Sequence, residues 1–150
     1  NVGSKDGIKQ EMGVISSVGV VGFIKDVSQN YSTVMPLMNK EFRITAKSKS
    51  QNLYGDFLWL NSNSFNTGTV TKVPSYINLK IGDTMVSTTQ EGIFPEGNPI
   101  GKVLNITEEP GSNYKTIILK TTVDFYNLNQ VMVIKNILKP ELDSISEQVN

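Results

Sequence analysis

The chain has 150 residues, 14 basic and 14 acidic side chains, no histidine and no cysteine. That length supports one ordinary domain or two very small ones, and the zero net charge argues against nucleic-acid affinity built on phosphate neutralisation. Without imidazole or thiol there is no Ser-His or Cys-His nucleophile pair, no thiolate chemistry and no ordinary zinc site. No cofactor or metal is therefore expected, and a chain without disulfides leaves its compartment open.

Period-two alternation and β-branched residues run along the chain, with no sustained helical periodicity before the tail. The first two strands are expected at 12–17 and 19–28, joined by a turn near Val18-Gly19, with Gly22 marking a bulge or a close backbone approach. Further strands are expected at 32–38, 41–48, 53–60, 68–73, 83–88, 99–107, 114–123 and 130–136. Asp6-Gly7, Gly82-Asp83 and Pro110-Gly111 supply turn chemistry between them, and 61–68 (NSNSFNTG) is a polar loop. The tail from Pro140 onward is polar and reads as a short helix or a disordered end.

Ten short strands at this spacing predict an all-β chain of small barrels or a sandwich. The longest nearly apolar run, VGVVGFI at 18–24, is far too short for a membrane helix. The chain opens NVGSKDG without an initiator methionine, and is expected to be cut from a longer protein whose signal or anchor has been removed.

Candidate chemistry is sparse. Ser112 and Lys115 match a bare Ser-x-x-Lys spacing, but that chemistry needs a shared helix face, and residues three apart on a strand point to opposite faces. Asp26, Asp56, Asp83 and Asp124 lie at or beside predicted strands and turns, where turn-capping or solvated roles dominate. In DFLWL, Phe57 and Trp59 share one strand face, which makes them core candidates before ligand platforms.

The densest punctuation is EGIFPEGNPIGKV at 91–103. Pro95 presets φ for the first corner of a turn, Glu96 takes the second and Gly97 the exit, while Asn98-Pro99 restricts how the next strand begins. A rigid, preformed loop follows, with Phe94 either plugging the end of a barrel or standing on the surface as an apolar anchor. Burial habits favour the plug.

Gly82, Asp83, Val86, Gly92, Phe94, Pro95, Gly97, Pro99, Gly101 and Val103 fall on the signature of MreC, the bacterial rod shape-determining family, which this segment resembles. The opening GSKDGIKQEMGVISSVGVVGFIKDVS, with Gly3, Asp6, Gly7, Gly19 and Gly22, is similar to the same family's first block, and TTVDFYNLNQVMVI to its closing segment. Coverage reaches from residue 1 to about 134, and two ordered blocks are far more specific than a lone glycine match. Thr89, Glu91 and Thr122 depart from the pattern and put the turn before Phe94 in question.

What the resemblance implies is the periplasmic part of a bitopic inner-membrane protein, folded as two small β-barrels with a short polar C-terminal tail. Residues 1–52 with 110–136 would build the first barrel, 53–109 the second, and 137–150 the tail. The implied function is a noncatalytic scaffold at the periplasmic face of the bacterial inner membrane, organising the cell-elongation peptidoglycan synthesis complex. Implied partners are a class B penicillin-binding transpeptidase, MreD, the RodA complex and MreC itself, with Ile93, Phe94 and Pro95 in or beside a contact. Two alternatives stand beside it: a histidine-independent hydrolase using Ser112 and Lys115 or a carboxylate pair, and a glycan-binding wall module stacking on Trp59, Tyr54 or Tyr76.

Overall fold

The computed structural model describes residues 1–135. The expected tail at 137–150 lies outside them. Ten antiparallel strands follow in chain order: β1 (Gly13–Ile15), β2 (Val20–Val27), β3 (Ser32–Pro36), β4 (Arg43–Ser48), β5 (Tyr54–Leu58), β6 (Thr67–Pro74), β7 (Thr84–Ser87), β8 (Pro99–Glu108), β9 (Tyr114–Thr121) and β10 (Met132–Ile134). Each overlaps the segment expected for it, because each carries its own alternation of buried and exposed side chains between turn residues. No helix among the described residues is long and apolar enough to cross a membrane.

Pairing sorts the strands into a closed barrel, β4-β5-β6-β9-β8-β7, and a four-stranded sheet, β10-β1-β2-β3. The boundaries expected at 52/53 and 109/110 are corrected by this pairing. β4 and β9, assigned to the terminal unit, are barrel strands, with β4 between β5 and β7 and β9 between β6 and β8. The reason is closure: the middle segment contributes only β5 to β8, and without β4 and β9 that set leaves backbone edges unpaired. The terminal unit is the sheet, with β10 and β3 at its edges.

The barrel's inner face holds the larger core. Phe42, Ile44, Phe57, Trp59, Met85, Ile100, Ile117 and Leu119 are buried there, and the Phe57 ring meets Phe42 edge-on with centroids 6.1 Å apart. A smaller cluster of Val14, Val21, Ile24 and Val123 serves the sheet. Phe23 of β2 stacks on Phe42 at 5.5 Å and joins the two units.

Gly22 is both a close approach and the flank of a bulge: a Cβ there would run into the Met35 carbonyl on β3, and against β1 the register slips from Val14↔Gly22 to Ile15↔Val20. A second register shift of β2, against β3, lies between Ile24 and Asp26.

Candidate functional site

The loop between β7 and β8 is built back onto the strand that starts it. Ser87, fully buried at the end of β7, donates its hydroxyl to the Pro95 carbonyl at 2.7 Å and accepts the Asn98 amide at 3.1 Å. The backbone closes the same neck, with the Ser87 N–H donating to the Asn98 carbonyl at 2.8 Å and the Gly97 N–H to the Ser87 carbonyl at 3.0 Å. The turn is centred on Glu96 and Gly97, one residue later than expected. Gly97 has φ 99°, and a left-handed corner there suits a residue without Cβ.

Glu91, marked in the sequence only as a departure from a family glycine, fastens the loop to β4. Its carboxylate oxygen Oε1 accepts the Thr45 N–H at 2.7 Å and the Thr45 hydroxyl at 2.6 Å. The β4–β7 ladder runs from Ser48↔Met85 to Ala46↔Ser87 and stops where the chain leaves β7. The Glu91 carboxylate therefore satisfies the next β4 donor in place of a strand carbonyl. Nearby, Lys47 pairs with Glu96 at 3.0 Å and lies 5.9 Å from the Tyr54 ring centroid. The hydrogen bond to Glu96 holds the Lys47 ammonium above its ordinary pKa.

Phe94 is the plug and not the exposed anchor. Its side chain is 1% exposed and belongs to the barrel core. A Cβ built on Gly13 of β1 would come within 2.8 Å of the Phe94 ring and of the Ile93 carbonyl, so Gly13 lets β1 lie directly on the loop. Of the residues proposed for a contact, Ile93 is half-buried against the core and Pro95 alone is exposed.

The remaining motif residues serve the frame. The Gly3 N–H donates to Asp6 Oδ2 at 2.9 Å around a short 3-10 turn, Ser4–Asp6, that ends on Gly7 at φ 83°. Gly82 and Asp83 form the turn into β7, where Asp83 accepts the Lys80 N–H at 2.9 Å. Gly92 is buried in the loop, Pro99 opens β8 and Gly101 faces the Lys120 carbonyl of β9. Gly19, at the β1–β2 turn, abuts the Pro99 carbonyl and the Thr122 hydroxyl, so Thr122 also sits at the junction between sheet and barrel.

The hydrolase residues have other employment. Ser112 Oγ accepts the Tyr114 N–H at 3.1 Å, while the Lys115 ammonium donates to the Ile77 carbonyl at 2.9 Å and pairs with Glu108 at 3.0 Å. The carboxylates are likewise dispersed among local partners, Asp26 with Thr33, Asp56 with Lys72 and Asp124 with Tyr126 and Asn127. Trp59 is buried, Tyr54 stands beside Lys47 and Tyr76 is exposed at a distance from any other ring contact among the described residues. Sequence reasoning missed an exposed aromatic pair, Phe65 with Tyr126, whose centroids are 5.7 Å apart.

Comparison with known proteins reaches the same frame. The family model for the barrel core of the rod shape-determining protein MreC matches residues 1–135. The chain belongs to the MreC family. The MreC of Listeria monocytogenes is 27% identical over 135 residues, covering 89% of this chain and 46% of that protein. The MreC of Haemophilus influenzae is 31% identical over 120 residues, covering 79% of this chain and 33% of that one. The chain thus spans about half or less of the length of these relatives. The solved MreC of Listeria monocytogenes superposes with TM-score 0.82 at 27% identity, covering 90% of this chain and 65% of its own.

More distant structures share the fold alone. One is the complex of the penicillin-binding protein PBP2 with MreC from Helicobacter pylori, at TM-score 0.65 and 18% identity over 83% of this chain and 78% of that one. Another is the major periplasmic domain of the cell shape-determining filament MreC, at TM-score 0.73 and 20% identity over 87% and 80%.

Proposed function

We propose that this chain is a noncatalytic scaffold that organises the peptidoglycan synthesis complex of cell elongation at the periplasmic face of the inner membrane, and thereby maintains rod shape. The observation that carries this reading is the MreC family match over residues 1–135. The Helicobacter pylori complex supports a class B penicillin-binding transpeptidase as the first partner, and the filament-forming neighbour supports contacts between copies of the chain. MreD and the RodA complex complete the set of partners in this reading.

A scaffold works by presenting surfaces that are rigid before binding, which lowers the ordering cost of association. The β7–β8 loop meets that requirement. Its base is locked by Ser87, Glu91 and Phe94, and Pro95, Glu96 and Gly97 face outward at its tip. We assign Pro95, with half-buried Ile93 behind it, to the contact, and Phe94 to the support beneath. The edges β3 and β10, unpaired on their outer sides among the described residues, supply further surfaces for main-chain pairing.

The test is binding of the chain to the periplasmic part of the transpeptidase from the same bacterium, with Pro95→Asp in parallel. Saturable binding is expected, weakened about tenfold in the variant with its thermal midpoint kept. Absence of saturable binding at about 100 μM would remove the transpeptidase from the proposal. Equal affinity of Pro95→Asp and the natural sequence would remove the loop tip.

A further inference from the structure

At the end of the barrel where β5 leads to β6, and where β9 leads toward β10, two loops enclose an open groove of about 750 Å³, a size that suits a small ligand. The loop at 61–66 forms one wall and residues 122–126 the other. Phe65 and Tyr126 stand across it, 56% and 77% exposed, in an edge-on arrangement with 61° between their planes. Each ring restrains the other, so an aromatic face is presented to solvent with little orientational freedom left to lose.

The polar groups of the groove divide into committed and free. Ser64 Oγ accepts the Asn66 and Thr67 N–H groups, Asn61 Oδ1 accepts the Asn63 N–H, and Asp124 holds the Tyr126 N–H and the Asn127 amide. The Asn63 side-chain amide, Asn61 Nδ2, Lys120 Nζ and the Tyr126 hydroxyl have no protein partner among the described residues. The free groups are donors in excess. One lysine and one aspartate are the charged residues among the described groove lining, which disfavours a highly charged ligand.

The floor decides between a polypeptide and another ligand. β9 is an inner strand, paired with β6 and β8, and at its end the Thr121 N–H and hydroxyl both donate to the Asn66 carbonyl, at 2.8 and 3.3 Å. No ladder edge is offered here for strand addition. A flat ring face beside free amide and hydroxyl donors suits a pyranose. Its C–H face packs on an aromatic ring, and its hydroxyl and acetamido oxygens accept hydrogen bonds.

We propose that the Phe65–Tyr126 groove binds a saccharide bearing acetamido groups, with Tyr126 as the stacking face, Phe65 as its brace, and Asn61, Asn63 and Lys120 as donors. This site lies at the same end of the barrel as the β7–β8 loop but shares no lining residue with it, and trimer titration reads it without the transpeptidase. The probe is the β-linked N-acetylglucosamine trimer, titrated into the isotope-labelled chain while backbone amide signals are followed. Saturable shifts confined to 61–66 and 120–127 are expected. Tyr126→Ala should weaken the trimer about tenfold and Asn63→Ala about threefold, whereas Tyr76→Ala, an exposed ring elsewhere, should leave it unchanged. No saturable shift up to about 10 mM trimer, or an equal loss in Tyr76→Ala, overturns the proposal. So does loss of transpeptidase binding in Tyr126→Ala without trimer binding by the natural chain, which would give the groove to a protein partner.

Discussion

The barrel and the sheet use the same kind of strand to opposite ends. In the barrel every strand has two neighbours, so its backbone is satisfied internally and its large side chains share one interior. Among the described residues the sheet has two open edges and a small cluster of its own. It borrows the rest of its burial from the barrel, through Phe23 on Phe42 and through Gly13 on Phe94. Closure supplies rigidity, and incomplete closure supplies surface. A scaffold needs both, and the β7–β8 loop is where one leans on the other.

The strongest way to break that comparison is Phe94→Asp, which places a carboxylate where barrel, loop and β1 meet. Loss of cooperative unfolding by circular dichroism is the expected result, and even Phe94→Ala should cost about 3–5 kcal/mol. A folded Phe94→Asp chain would mean that sheet and barrel do not depend on this ring. Gly13→Val attacks the same seam from the sheet side. Overpacking against the Phe94 ring and the Ile93 carbonyl should cost about 1–3 kcal/mol in a denaturant titration.

Glu91→Ala separates the loop's attachment to β4 from its attachment to the core. It removes two charge-assisted hydrogen bonds and leaves the Thr45 donors without their partner, at about 1.5–3 kcal/mol. Faster hydrogen exchange at the Thr45 amide, with the Phe57 amide still protected, would locate the loss in the loop. Uniform acceleration would show instead that the barrel needs the clamp to close.

The smallest effect is expected at Asp124, an exposed cap just after β9. The hydrogen bond from the Asn127 side chain, followed by that from the Tyr126 N–H, holds its carboxyl below the ordinary value of 3.8. A depressed folded-state pKa adds stability above the unfolded-state value, and this is lost as pH falls through the folded one. Asp124→Asn should therefore lower stability slightly near neutrality and flatten the acid limb below about pH 4, where the two stability curves converge. An unchanged acid limb would show that the exposed cap is uncoupled from folding.

Much of the fold was legible locally. Alternation marked all ten strands, and Asp6-Gly7, Gly82-Asp83 and Pro110-Gly111 marked turns because their chemistry acts over a few residues. Phe94 was open between plug and anchor, since an apolar ring beside Pro95 serves either role and only its surroundings choose. Glu91 was legible only as an exception. Its partner, Thr45, is 46 positions away, and no spacing rule connects them. The Phe65–Tyr126 pair escaped for the same reason, each ring having looked isolated in its own loop.

The sequence by itself determined the all-β class, the strand positions, the preformed loop and the family signature, because period, turn chemistry and short motifs are written in neighbouring residues. The tertiary structure alone decided which strands pair. β4 and β9 look no different in pattern from the strands of the sheet, yet pairing depends on closing every backbone edge around a shared core. The same closure buried Phe94, turned Glu91 into a clamp and brought Phe65 to Tyr126, since contacts across the chain exist only after the barrel has formed.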